Sequence, residues 1–143
     1  MFSWIEDYIK AGSPKVSPKQ LALLARSKSA KTRLRVAENP KTPEEVLAVL
    51  SEDQEPDVRM AVGNSPNAPI YLVEKLARDH DPTVRHGLAE DSQTPLTVLM
   101  RLAEDDNPYV SCRARKTLAT LGLVDAEARR SYNWSTTSDR CFA

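Results

Sequence analysis

The chain has 143 residues and a formal net charge of zero, with 41% hydrophobic and 28% charged residues, the mixture of one ordinary globular domain. Zero net charge excludes a global electrostatic pull toward nucleic acid or anionic membrane and leaves only local patches to do such work. The two cysteines, Cys112 and Cys141, make neither a metal-ligand spacing nor a disulfide framework, so a reduced, cytoplasmic setting is expected.

The opening segment, MFSWIEDYIKAG, is too polar for a signal-peptide core, and no run of about 18 apolar residues occurs. Ser3-Trp4-Ile5-Glu6 reads as a capping box, and Phe2, Ile5 and Ile9 share one helical face. Gly12 would end the helix. Residues 1–12 are therefore expected to form an N-terminal capping helix, with the apolar face on the next element.

From residue 13 to 122 the chain repeats itself. Pro56, Pro82 and Pro108 are spaced by 26, as are Pro43, Pro69 and Pro95. The same step links Leu24, Leu50, Leu76 and Leu102, then Leu21, Leu47, Val73 and Leu99, then Val36, Val62, Leu88 and Ala114. Arg33, Arg59 and Arg85 form a basic column that ends in Ser111; Asp53, Asp79 and Asp105 form an acidic column that begins with Ser27. A period of this length is the mark of a repeat architecture.

Each copy reads as two short helical segments. Thr42-Pro43-Glu44-Glu45 predicts an N-cap, a proline at the first helical position and a capping box, followed by Val46, Leu47 and Leu50 on one face. Asp81-Pro82 and Asn107-Pro108 open the second segment, Glu55-Pro56 is a weaker version, and the first copy has Ser29-Ala30 without the proline. Apolar spacings of three and four favour helix over strand. Helices this short are marginal alone, so stability has to come from stacking copy on copy. The last segment, from Tyr109 to Leu121, is longer and stops at Gly122. Residues 123–143 are expected to hold a short helix over about 125–131 and a loose polar tail, held if at all through Trp134 and Phe142.

The run Leu76-Ala77-Arg78-Asp79-His80-Asp81-Pro82-Thr83-Val84-Arg85, with Ala89-Glu90-Asp91 and Thr94-Pro95 after it, resembles the leucine-rich repeat variant family. Val36-Ala37-Glu38-Asn39-Pro40-Lys41-Thr42-Pro43 is similar to the second part of that family's repeat. HEAT-type repeats share the Asp…Pro-x-Val-Arg element. The resemblance, which spans about Ser17 to Leu118, implies an all-α, right-handed solenoid of alternating α- and 3₁₀-helices. With the periodicity above, the expected fold is about four 26-residue repeats with helical caps. One form of the family carries an iron–sulfur cluster on an added cysteine-rich segment; this sequence has no such segment, so no cofactor is expected.

Candidate sites follow from what varies and what recurs. The Arg33, Arg59, Arg85 column and the Asp53, Asp79, Asp105 column are best read as partners in a structural ladder, for which the fork of arginine is suited. Lys10, Lys15, Lys19, Arg26, Lys28, Lys31, Arg33, Arg35 and Lys41 are opposed only by Glu38, whereas Glu44 to Asp57 is wholly acidic in its charges. The variable columns Leu34, Met60, His86, Cys112 and Lys31, Asp57, Thr83, Tyr109 are where partner contacts would be built. Lys28, Lys31, Arg35, Met60, His86 and Tyr109 are thus the partner-binding candidates. His80 and His86 lack a second ligand at metal spacing, and neither a catalytic constellation nor a phosphate loop stands out.

These features predict a non-enzymatic protein-interaction module, an adaptor or scaffold using one face of the stack. The alternative is nucleic-acid binding through the basic first copy, as some HEAT-like solenoids manage, including a DNA-glycosylase class. A third possibility is that Tyr132-Asn133-Trp134 and Cys141 form a peptide presented for modification. Cys141 stands third from the end and so misses the prenylation pattern.

Overall fold

The computed structural model describes residues 3–123. Prolines and caps divide this stretch into α1 (Ser3–Ala11), α2 (Pro18–Leu24), α3 (Ala30–Glu38), α4 (Glu44–Leu50), α5 (Pro56–Gly63), α6 (Ile70–Leu76), α7 (Pro82–Glu90), α8 (Leu96–Leu102) and α9 (Pro108–Thr120). No strand occurs among the described residues. Pro18, Glu44, Ile70 and Leu96 begin the even helices; Ala30, Pro56, Pro82 and Pro108 begin the odd ones from α3 onward. Both series therefore step in the 26-residue register of the sequence. The expected short helix near 125–131, the tail with Trp134 and Phe142, and Phe2 lie outside the described residues.

The second segments open as their sequences predict. Asp81 accepts from the Thr83 N–H at 2.8 Å, and Asn107 accepts from the Tyr109 and Val110 N–H groups at 3.0 and 3.4 Å. Glu55 makes no side-chain cap bond. Ser17 and Gln20 form a reciprocal capping box on α2. The first segments depart from expectation at their start. Pro43, Pro69 and Pro95 are themselves the N-caps of α4, α6 and α8, without a side-chain cap bond. Thr42 and Thr94 instead turn back, donating through Oγ1 to the Val36 and Leu88 carbonyls at 2.5 and 2.8 Å. Carbonyls near a helix C-terminus lack intrahelical donors, so the threonines serve the helix behind them rather than the one ahead.

The even helices are α-helical, not 3₁₀. Seven residues give two turns, enough for i to i+4 bonds such as Leu47 N–H to the Pro43 carbonyl at 3.1 Å. The i to i+3 pattern is confined to their ends, as in Val46 N–H to Pro43 and Val98 N–H to Pro95. At the far end, Gly122 adopts φ of +68°. Its N–H reaches the Ala119 carbonyl and that of Leu123 reaches Leu118, a Schellman stop for which glycine carries no Cβ penalty.

Each odd helix stacks on the next, from α1 to α9, and each even helix packs against the odd helices that flank it in sequence. The aligned leucines point inward: Leu21, Leu47 and Leu99 are fully buried, and Leu50, Leu76 and Leu102 are 1% exposed. Val36, Val62, Leu88 and Ala114 form a second fully buried row. Each leucine or valine among them contributes about 1.5–3 kcal/mol by leaving water. A row of small residues, Ala11, Ala37, Gly63 and Ala89, is buried where the odd helices meet; a Cβ on Gly63 would strike the Leu88 side chain.

Helix α1 joins this row through Ala11, but not through its predicted apolar face. Ile5 is 36% and Ile9 65% exposed. The contact with α3 runs along the side that carries Ala11, and on a 3.6-residue helix Ile5 and Ile9 lie well round from it. Ser3 is itself helical rather than a cap outside the helix.

Candidate functional site

The recurring arginines and aspartates meet. Arg59 donates from Nε and Nη2 to the two carboxylate oxygens of Asp79 at 2.7 and 3.0 Å, and from Nη1 to the Asp53 and Gln54 carbonyls at 2.7 and 3.2 Å. Arg33 holds Asp53 in the same fork at 2.6 and 2.9 Å, and Arg85 holds Asp105 at 2.7 and 3.0 Å. Each arginine thus ties its own turn to the aspartate of the next. Each aspartate also accepts from a backbone N–H two residues on, at Glu55, Asp81 and Asn107. In the first copy Ser27 accepts from Ser29 N–H in the same way.

This setting fixes the charge states. Burial alone would raise the aspartate pKa values, but the arginine fork and the backbone N–H bonds outweigh it, and all three stand below the usual carboxylate range. The fork raises Arg33, Arg59 and Arg85 above their ordinary value, against a smaller opposing effect of burial. The Asp fork occupies the Nε–Nη2 edge of all three arginines, the edge that would otherwise grip an anionic partner in two parallel bonds.

The other candidate residues scatter. Met60 is half-buried against the core, with its sulfur lying where a Cβ of Gly87 would stand; it joins α5 to α7. Arg35 lies 5.7 Å over the Tyr8 ring and donates to Glu38 at 3.2 Å. His86 is half-buried, whereas Lys28, Lys31 and Tyr109 are exposed. Of the basic first copy, Lys41 also donates to the Pro14 carbonyl. Lys10, Lys15, Lys19 and Arg26 are exposed, and Lys10 and Arg26 share a groove between α1 and α2 with Asp7 and Leu23. His80 stands 3.5 Å from Asp79, and no cluster of three metal-ligating side chains occurs among the described residues. Cys112 is a disulfide sulfur rather than a free thiol, which corrects the expectation of reduced cysteines.

Sequence reasoning missed a different set of residues. Leu23, Val49, Ile70, Tyr71, Leu96 and Met100 are exposed, and all lie on even helices. Their neighbours Val46, Leu47, Leu72, Val73, Val98 and Leu99 are buried, so the apolar runs of these helices exceed what the core takes up. The surplus apolar residues in Ile70-Tyr71-Leu72-Val73 and Leu96-Thr97-Val98-Leu99-Met100 were the available signal.

A second set of cross-links joins successive copies, two from the turns between helices and one from within α9. Asn39 donates to the Ala11 carbonyl at 2.6 Å, Asn67 donates to the Pro40 carbonyl, and Thr117 donates to the Ala89 carbonyl at 2.6 Å. Between the turn at 63–68 and the turn at 91–95 lies a cleft of about 390 Å³, lined by residues that include Ser65, Ile70 and Asp91. No helix of the described residues is long and apolar enough to cross a membrane. No family model, curated protein or solved structure matches the chain.

Proposed function

We propose that the chain is a non-enzymatic protein-interaction module: a right-handed α-solenoid of about four repeats, of the leucine-rich repeat variant or HEAT-like kind, that binds a protein on the face carried by its even helices. The observation that carries this reading is the run of exposed Ile70, Tyr71, Leu96 and Met100 on α6 and α8. Exposed apolar and aromatic side chains on neighbouring elements are the usual anchors of an interface, while isolated ones need no explanation. The fork edges of the ladder arginines are engaged by aspartates of the same chain, which favours this face for recognition.

The test is affinity capture from the native host with the wild-type chain and with Ile70→Asp plus Met100→Asp. A stable protein partner retained by the first and lost by the second, with the circular dichroism unchanged, supports the reading. Capture that the substitutions leave intact, or of nucleic acid alone, contradicts it.

The second reading, nucleic-acid binding at the basic end, has its own support. Lys10, Lys15, Lys19, Arg26, Lys28 and Lys31 are exposed. Binding there would weaken steeply with salt and disappear in Lys28→Glu plus Lys31→Glu. No retention of DNA or RNA at low salt removes it.

A further inference from the structure

The cleft between the turns at 63–68 and 91–95 differs from the other seams of the stack in its hydrogen bonding. Position 39 holds Asn39, whose Nδ2 reaches back to the Ala11 carbonyl at 2.6 Å. The same position two copies later holds Asp91, and a carboxylate has no hydrogen to give. Position 41 holds Lys41, whose ammonium donates to the Pro14 carbonyl, and the next copy holds Asn67, which donates to Pro40. The third copy holds Gln93, which uses its backbone N–H on Asp91 at 2.8 Å. Among the described residues no hydrogen bond crosses this seam. The Gly63 and Pro66 carbonyls, the counterparts of Ala11 and of Pro14 and Pro40, are left without a donor from the following turn.

The cleft is therefore rich in acceptors. Its lining holds one carboxylate, Asp91, and no cation. Ser65 is 8% exposed and lines the same cleft, and its hydroxyl has no partner. Ile70, Val73 and Pro95 supply apolar walls. A group matching this site has several N–H donors, a positive charge and an aliphatic stem.

We infer that the cleft binds a lysine side chain presented by the partner protein, its ammonium bridging Asp91 and the carbonyls of the 63–66 turn as Lys41 bridges two turns within the chain. The stem lies along Ile70 and Val73, which continues the contact onto the exposed apolar face of α6. The source of the lysine rests on the interaction-module reading above. The cleft itself does not.

The experiment is a ¹H–¹⁵N NMR titration of the full chain with N-acetyl-lysine methylamide, against N-acetyl-norleucine methylamide as the isostere without the ammonium. Saturable shifts confined to residues 63–66 and 91–95 with the lysine compound, and none with norleucine, are expected. Asp91→Asn gives the seam the donor that Asn39 gives its own. It should weaken lysine binding by at least about tenfold, the worth of a charged hydrogen bond, while leaving the melting temperature equal or higher. Equal shifts with norleucine, shifts spread over the acidic 44–57 stretch instead, or unchanged binding in Asp91→Asn would overturn the proposal. Lysine binding in the cleft together with partner capture that Ile70→Asp plus Met100→Asp leaves intact would sink the interaction face alone.

Discussion

Arg59 and Asp79 stand twenty residues apart in sequence and meet through two parallel bonds, Nε to Oδ2 at 2.7 Å and Nη2 to Oδ1 at 3.0 Å, with both side chains 7% exposed. The third arm of the guanidinium holds the Asp53 carbonyl, so one side chain clamps the start of its own turn and the start of the next. Breaking such a pair from one side leaves a buried charge without its partner. Arg59→Ala should cost about 3–5 kcal/mol, and Arg59→Lys, which keeps the charge but loses the fork, about 1–3 kcal/mol. Arg33 and Arg85, each 17% exposed, should lose less on truncation. Urea unfolding midpoints order these variants; equal midpoints for Arg59→Ala and wild type would deny the ladder any energetic role.

The ladder also sets the response to acid. Asp53, Asp79 and Asp105 titrate in the fold below their unfolded value of about 3.9. The unfolded chain therefore binds protons first, so this stabilisation is complete above about pH 5 and is lost as pH falls through the folded pKa values. The raised arginines stay charged throughout and add no slope in that range. Asp79→Asn should be less stable at neutral pH and lose less on acidification. Thermal melts at neutral pH and at about pH 3 compare the two; parallel losses in both proteins would contradict the assignment.

Leu76 tests the packing directly. It is 1% exposed, lies in the middle of the stack, and its side chain is among the nearest to Gly63 of α5. Leu76→Ala removes buried methyl groups and leaves a cavity, at a cost of about 2–5 kcal/mol. An unchanged denaturation midpoint would mean the leucine column is not the core.

Thr32 makes the opposite prediction. Its column continues as Val58, Val84 and Val110, all buried, and its hydroxyl is buried without a partner. Thr32→Val keeps the shape and removes the orphan, so stability should hold or rise by about 1 kcal/mol. A drop in melting temperature would reveal a hydrogen bond that the geometry lacks.

Most of this architecture was legible in the sequence because it is written at a fixed step. The leucine and valine columns, the Asp81 and Asn107 caps and the Arg–Asp pairing all follow from residues that recur every 26 positions. What escaped was set by three-dimensional choices that a column does not encode. Thr42 has the identity of an N-cap, yet its hydroxyl serves the Val36 carbonyl behind it. Met60 stands in a variable column, which suggested a surface for partners, but it varies because Gly87 opposite makes room for it. Ile5 and Ile9 are apolar on one face of α1, but which face meets α3 was decided by the small Ala11. The exposed Ile70 and Met100 were hidden within segments whose other apolar residues are core.

The most direct test of the account removes one period. Excising residues 54–79 deletes 26 positions and leaves Asp53 joined to His80, with Arg33 still facing Asp53 and Arg85 still facing Asp105. Excising 54–66 deletes half as many and breaks the register. Far-ultraviolet circular dichroism through a urea titration should show a helical, cooperatively unfolding chain after the longer cut and a largely unfolded one after the shorter. If the longer cut unfolds the chain as thoroughly as the shorter, the stack is not built from interchangeable units.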